Sequence, residues 1–283
     1  MHYTSTPAYE AMDDVGKILY HTIMIGFLIR KNFYDLWDNM FRIILLNLGF
    51  IASLSIPVFI PGIIPVQFVS IVVFSAGVFW CCIYLCAAAL SVKKISDYGS
   101  FVFADFLANL KAGLPSGIAI GLIGFVIYLI ARVTIPFYLE MNSLIGVLLA
   151  VIIFWAFVLA LVSFQFFFAV RARLDIKISK IVKKCFIIFF DNTGFAIFVL
   201  LHSLATFVLS LFLAFLIPGP AGILLFLDQA LRLRLMKYDW LEANPDTENT
   251  RKRRVIPWDA ILIAEREKTG TRSLRNFIFP WKD

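Results

Sequence analysis

The sequence predicts an all-α protein, a polytopic helical membrane bundle of about six transmembrane helices. Interfacial amphipathic helices and a polar C-terminal tail complete it. Three observations predict this class. Of 283 residues, 61% are hydrophobic and 16% charged, with a mean hydropathy of +0.87; a soluble domain carries roughly 25% charged residues. The ionic side chains are segregated. Residues 43–170 hold seven (Lys93, Lys94, Asp97, Asp105, Lys111, Arg132 and Glu140), whereas residues 237–283 hold eighteen. The apolar runs between them suit a hydrocarbon core about 30 Å thick, which takes about 20 residues at 1.5 Å each. A soluble fold, a disordered chain and a coiled coil are excluded.

Three regions follow: an N-terminal cytoplasmic or interfacial segment (1–41), a transmembrane bundle (42–236) and a cytoplasmic tail (237–283). Asp13 and Asp14 precede the first apolar stretch and no small-x-small site follows it, so no cleavable signal peptide is expected. Residues 18–41 mix apolar side chains with Arg30, Lys31, Asp35 and Asp38, the composition of an interfacial helix. The first span, 42–56, opens after Arg42 and is expected to stop at Pro57. Segments 66–92, 114–137, 143–170 and 194–217 each suffice to cross. Between the last two, residues 174–190 set Lys177, Lys180, Lys183 and Lys184 beside a strongly apolar surface, again interfacial in character. Asp191-Asn192-Thr193-Gly194 supplies a break and an N-cap before the next span. The sixth segment, 221–236, follows Pro218-Gly219-Pro220, is short and carries Asp228. It either spans or re-enters.

Charge orients the bundle. With six spans, 25 of the 26 Lys and Arg residues fall on one side and only Arg132 on the other. The positive-inside rule then makes both termini cytoplasmic, in a multi-pass protein of the cell (inner) membrane, and the basic loops are expected to meet anionic lipid headgroups.

Within the spans, Gly113, Gly117 and Gly121 repeat at i, i+4, i+8 and clear one stripe for a close helix neighbour; Ala156 and Ala160 share the spacing. Internal packing and a homodimer seam both fit this pattern. Asn47, Gln67, Gln165, His202 and Asp228 are the intramembrane polar candidates, because unpaired polar groups are costly in hydrocarbon. His202 and Asp228 would meet if the last two segments pack antiparallel; hydrogen bonds to backbone carbonyls are the plainer reading. Cys81, Cys82, Cys86 and Cys185 lie in apolar segments and read as buried hydrophobes. No HExxH, GxSxG, P-loop or GxGxxG occurs, so no catalytic residue, cofactor site or metal site is expected.

The tail carries two apolar-Pro-Trp elements, Ile256-Pro257-Trp258-Asp259 and Phe279-Pro280-Trp281-Lys282, with a short helix read between them over AILIAEREK. Trp258, Phe279, Pro280 and Trp281 form a candidate docking surface, since tryptophan anchors dominate many interfaces. The same rings could instead fold back on the chain's own helices.

From the first span onward the order of features resembles the YesL-like family of bacterial polytopic membrane proteins. The residues that carry the resemblance are Asn47 with Ser55-Ile56-Pro57, the Phe-rich stretch Phe101-Val102-Phe103-Ala104-Asp105-Phe106 with Lys111 downstream, and the closing Arg232–Tyr238 segment. It covers roughly residues 15–240. The resemblance implies a helical membrane protein of unassigned activity, often associated with carbohydrate uptake systems, and it transfers no catalytic residue. Three functions are therefore expected in order: an accessory or regulatory subunit of a membrane transport system, a transporter or channel itself, and a structural membrane scaffold. No nucleic-acid partner is expected.

Overall fold

A computed structural model describes residues 7–99, 102–244 and 256–270. Among them the secondary structure is helical throughout: α1 (Pro7–Asp38), α2 (Met40–Ile63), α3 (Gln67–Ser96), α4 (Phe103–Leu129), α5 (Ile135–Glu140), α6 (Leu144–Phe164), α7 (Phe167–Arg173), α8 (Ile178–Asp191), α9 (Thr193–Phe212), α10 (Gly219–Ala243), α11 (Trp258–Ile261) and α12 (Ile263–Thr269). Five stretches are long and apolar enough to cross a membrane: α2, α3, α4 with α5 (joined by a π-turn at Ile130–Thr134), α6 with α7, and α9. The protein is an integral membrane protein with an all-α, multi-pass fold.

Two compact units divide the chain, one built from Asn39–Leu231 and the other from the N-terminal Met1–Asp38 region and the Arg232–Asp283 region. Among the described residues, α1 shares its unit with the end of α10, α11 and α12.

In the larger unit α3 packs along both α2 and α4, and α6 packs on α5, α8 and α9. The α2 helix does not stop at Pro57 but runs through Pro57 and Pro61 to Ile63. In lipid a proline forfeits one helical bond, whereas unwinding exposes several backbone groups to hydrocarbon. Ser70 Oγ donates to the Pro61 carbonyl, and Trp80 Nε1 donates to Ser53 Oγ. Opposite Pro57 stands Gly77, where an added Cβ would meet the ring at 2.9 Å.

The α3–α4 seam is the glycine stripe. A Cβ at Gly113 would lie 3.1 Å from Cys86 Cβ, one at Gly117 would lie 2.7 Å from Ile83, and one at Gly121 would lie 2.6 Å from Phe79. Gly124, one turn on, faces open space. Ala156 is exposed and Ala160 half-buried, so α6 does not continue this seam.

The last apolar segment differs most from expectation. α10 is 25 residues long, and by composition it is not among the helices suited to crossing. Its first half is enclosed: Ala221, Leu224, Leu225, Phe226, Leu227, Ala230 and Leu231 are all buried. α9 ends at Phe212, earlier than the sequence suggested, and residues 213–218 make a turn with Ala214 and Phe215 at φ of 49° and 60°. Left-handed backbone at non-glycine residues costs roughly 1–2 kcal/mol each and persists only when surrounding structure fixes it. Between α8 and α9 the chain does break at Asn192, but its amide points back to the Ile188 carbonyl rather than capping α9.

The smaller unit has a core of Met24, Leu28, Leu233, Trp258 and Leu262, with α11 packed on α1. Several of its polar groups are paired at close range. Lys31 Nζ meets Asp35 at 2.6 Å, Arg232 meets Glu265 at 2.7 Å, and the Arg234 guanidinium lies over the Trp258 ring. Burial pulls the Lys31 ammonium below its ordinary pKa, against the opposing pull of Asp35.

Candidate functional site

Two clusters of polar side chains stand out in the larger unit. The first surrounds Asn47, which is fully buried on α2. Its Nδ2 donates to the carbonyls of Leu216 and Pro218, each at 2.9 Å, and its Oδ1 accepts the Ala221 amide at 2.9 Å. Ser210 Oγ accepts the Gly219 amide at 3.0 Å, and the Phe215 amide donates to the Ser210 carbonyl at 2.7 Å. These bonds serve the backbone groups that an unwound turn leaves open. Gly219 has φ +60°, and its Cα abuts the Asn47 amide so closely that no Cβ fits. One side chain thus latches the α9–α10 turn.

The depth of the latch matters. Sixteen residues of α2 (48–63) continue beyond Asn47, about 24 Å of helix. Tyr84, whose hydroxyl donates to the Leu46 carbonyl at 2.8 Å, marks the same level on α3, with about 25 Å of that helix reaching on to Gln67. Neither stretch contains a charged residue.

The second cluster lies where α3, α7 and α10 converge. Arg173 holds Asp228 through both carboxylate oxygens, with Nε to Oδ1 at 2.8 Å and Nη2 to Oδ2 at 2.5 Å. The same Nη2 reaches Ser96 Oγ and Asp97 Oδ1, each at 2.9 Å. Beside it, Arg171 donates through Nε to Ser116 Oγ at 2.7 Å and through Nη2 to the Ala112 carbonyl at 2.8 Å. Asp228 therefore pairs with Arg173 and not with His202. Two residues turn a helix by about 200°, so Phe226 faces α9 while Asp228 looks the other way. His202 instead stacks on Phe226, centroids 3.7 Å apart, with Thr206 Oγ1 3.4 Å from its Nδ1.

The other candidates are placed apart. Gln165 donates to the carbonyls of Val162 and Ala196 and ties α6 to α9. Gln67 is exposed at the start of α3. Trp258 is only 2% exposed and lies inside its own unit, so it presents no ring to a partner. Phe279, Pro280 and Trp281 fall outside the described residues. The four cysteines are free thiols, and burial pushes the Cys185 thiol up to about 12. Among the described residues no three His, Cys, Asp or Glu side chains converge to hold a metal ion.

Arg171, Arg173, Ser96 and Ser116 were not singled out by sequence reasoning. The arginines look like ordinary positive-inside charges, and only Asp228, an acid in an apolar run, signalled that a cation had to approach. Compared with the models of known protein families, with curated proteins and with solved structures, the chain matches none.

Proposed function

We propose that this chain is an accessory or regulatory subunit that assembles with a membrane transport system, carbohydrate uptake being the class its YesL-like features suggest. In this reading it lies in the inner membrane with both termini cytoplasmic. The observation that carries it is the use of the intramembrane polar groups. Asn47 makes all its hydrogen bonds to the chain's own turn, Gln165 bonds to two carbonyls, and Asp228 is neutralised by Arg173. A solute pathway needs such groups turned toward a cavity; here they hold helices together.

The topology belongs to the same proposal. If the α9–α10 turn reached the far surface, residues 48–63 of α2 would stand in water, with Val58, Phe59 and Ile63 exposed. The turn instead lies within the bilayer, so α9 and α10 form a re-entrant hairpin and four stretches cross. That even number keeps 25 of 26 basic residues on one side. With Trp258 committed inside its own unit, the partner contact is assigned to Phe279, Pro280 and Trp281.

One observation favours a transporter as the second reading: a helix that begins inside the bilayer, the arrangement that discontinuous transporter helices use for substrates. The two readings separate in one experiment. A photo-crosslinker at Trp281 should capture a transport component in cells, and purified protein in proteoliposomes should pass no sugar or ion. Solute flux by the purified chain alone would reverse the order.

A further inference from the structure

The turn between α7 and α8 encloses a cleft of about 480 Å³ lined by Arg171, Arg173, Asp175, Ile176, Lys177 and Lys180 among others. Its charges do not cancel. Arg173 is matched by Asp228 and Asp97, and Asp175, the one carboxylate among the described residues of the lining, is held by Lys184 at 2.6 Å. That hydrogen bond keeps the Asp175 carboxyl below the usual range, so it stays a carboxylate already committed to a cation. Arg171 is different. It is buried, and both its partners, the Ser116 hydroxyl and the Ala112 carbonyl, are neutral. Among the described residues no carboxylate pairs with Arg171, Lys177 or Lys180. A buried guanidinium without a counter-charge is costly, and here it borders an open cleft with two exposed lysines at its rim.

We propose that this cleft binds a phosphate group, carried by an anionic phospholipid at the membrane surface. The chemistry of the lining selects the class. Lysine ammonium groups recognise phosphate as point charges, and Lys177 and Lys180 are both exposed in the lining. The lipid source follows from the neighbours. Ile176, 73% exposed, sits in the lining between Asp175 and Lys177, and Ile187 and Phe190 are exposed further along α8. Apolar side chains beside phosphate-binding lysines match the headgroup–acyl boundary. The inference is independent of any protein partner.

The test titrates purified full-length protein in detergent with dioctanoyl phosphatidylglycerol, dioctanoyl phosphatidylcholine and inorganic phosphate, followed by native mass spectrometry and melting temperature. Phosphatidylglycerol should bind saturably and in preference to phosphatidylcholine. The double variant Lys177→Gln/Lys180→Gln, both residues exposed, should keep its unliganded melting temperature and bind on the order of 30-fold more weakly. Lys177→Arg/Lys180→Arg should restore binding. If inorganic phosphate binds with the same dependence on the lysines while phosphatidylglycerol shows no preference, the lipid source is overturned and a soluble phosphate takes its place. Equal binding of both lipids, or binding indifferent to the double variant, overturns the site.

Discussion

Arg173 and Asp228 stand 55 positions apart in the chain, yet both carboxylate oxygens of Asp228 rest on one guanidinium. The aspartate is buried and the arginine side chain 9% exposed. Removing one member leaves a buried charge, which costs about 3–5 kcal/mol, whereas replacing both by apolar residues is often neutral. Asp228→Leu should therefore lower the melting temperature in detergent sharply, and Arg173→Met/Asp228→Leu should recover most of it. A double variant as unstable as the single one would show that Arg173 matters chiefly through Ser96 and Asp97.

Asn47→Leu removes three hydrogen bonds from the α9–α10 turn and leaves their backbone partners buried. Each orphaned group costs about 1–3 kcal/mol, so this variant should be among the least stable single changes in the bundle. Gly219→Ala should rival it, since it forces a Cβ against the Asn47 amide at positive φ. Thermal unfolding of both against wild type checks the latch.

Single-cysteine labelling reads the hairpin depth. On a background without native cysteines, Gly62→Cys and Asn142→Cys should react with an impermeant maleimide from outside intact cells. Leu213→Cys, at the turn, should resist labelling from either side. Labelling of Leu213→Cys from outside would make α10 a full crossing.

Gly117→Leu drives a side chain into Ile83 on α3, while Gly124→Leu enters open space. Overpacking costs typically 1–3 kcal/mol. The first variant should lose thermal stability and folded yield, and the second should match wild type. Equal behaviour would move the close contact elsewhere along α4.

Lys31 has a folded pKa below the ordinary lysine value of 10.5, because burial disfavours its charge more than Asp35 restores it. The unfolded chain then binds the proton more readily in the window between the depressed value and 10.5. Stability therefore rises with pH through that window. Measured against Lys31→Met/Asp35→Leu, which lacks this dependence, wild type should gain stability as pH approaches 10.5. A falling difference would contradict the assignment.

The all-α membrane bundle was legible in the sequence because it is written in composition; the six spans expected were not, since among the described residues only five stretches are long and apolar enough to cross. Nor was depth. Arg171 and Arg173 announce a side of the membrane, but nothing local tells a surface arginine from one folded under α3. Pro57 reads as a stop because proline breaks helices in water; in lipid, the penalty for unwinding overrides it. His202 and Asp228 fell at matching distances from the turn, but matching linear distance does not bring them together. The 200° between positions 226 and 228 gave the histidine a phenylalanine and the aspartate an arginine. The latch was half visible: Asn47 stood out as a polar residue in a span, but its partners are backbone atoms, which no residue pattern displays.

The smaller unit joins the first helix of the chain to its last described ones, with α11 seated on α1 and Met24 beside Arg234. The 193 residues from Asn39 to Leu231 lie between these halves. At a ribosome speed of about 5–20 residues per second, α1 waits roughly 10–40 s for the segment that covers it. Throughout that interval Met24, Leu28 and their neighbours have no tail to pack against, and a stalled or truncated nascent chain keeps them uncovered. The C-terminal segment thereby acts as a completion signal: only a chain translated through Trp258 can close the unit that its first helix opened.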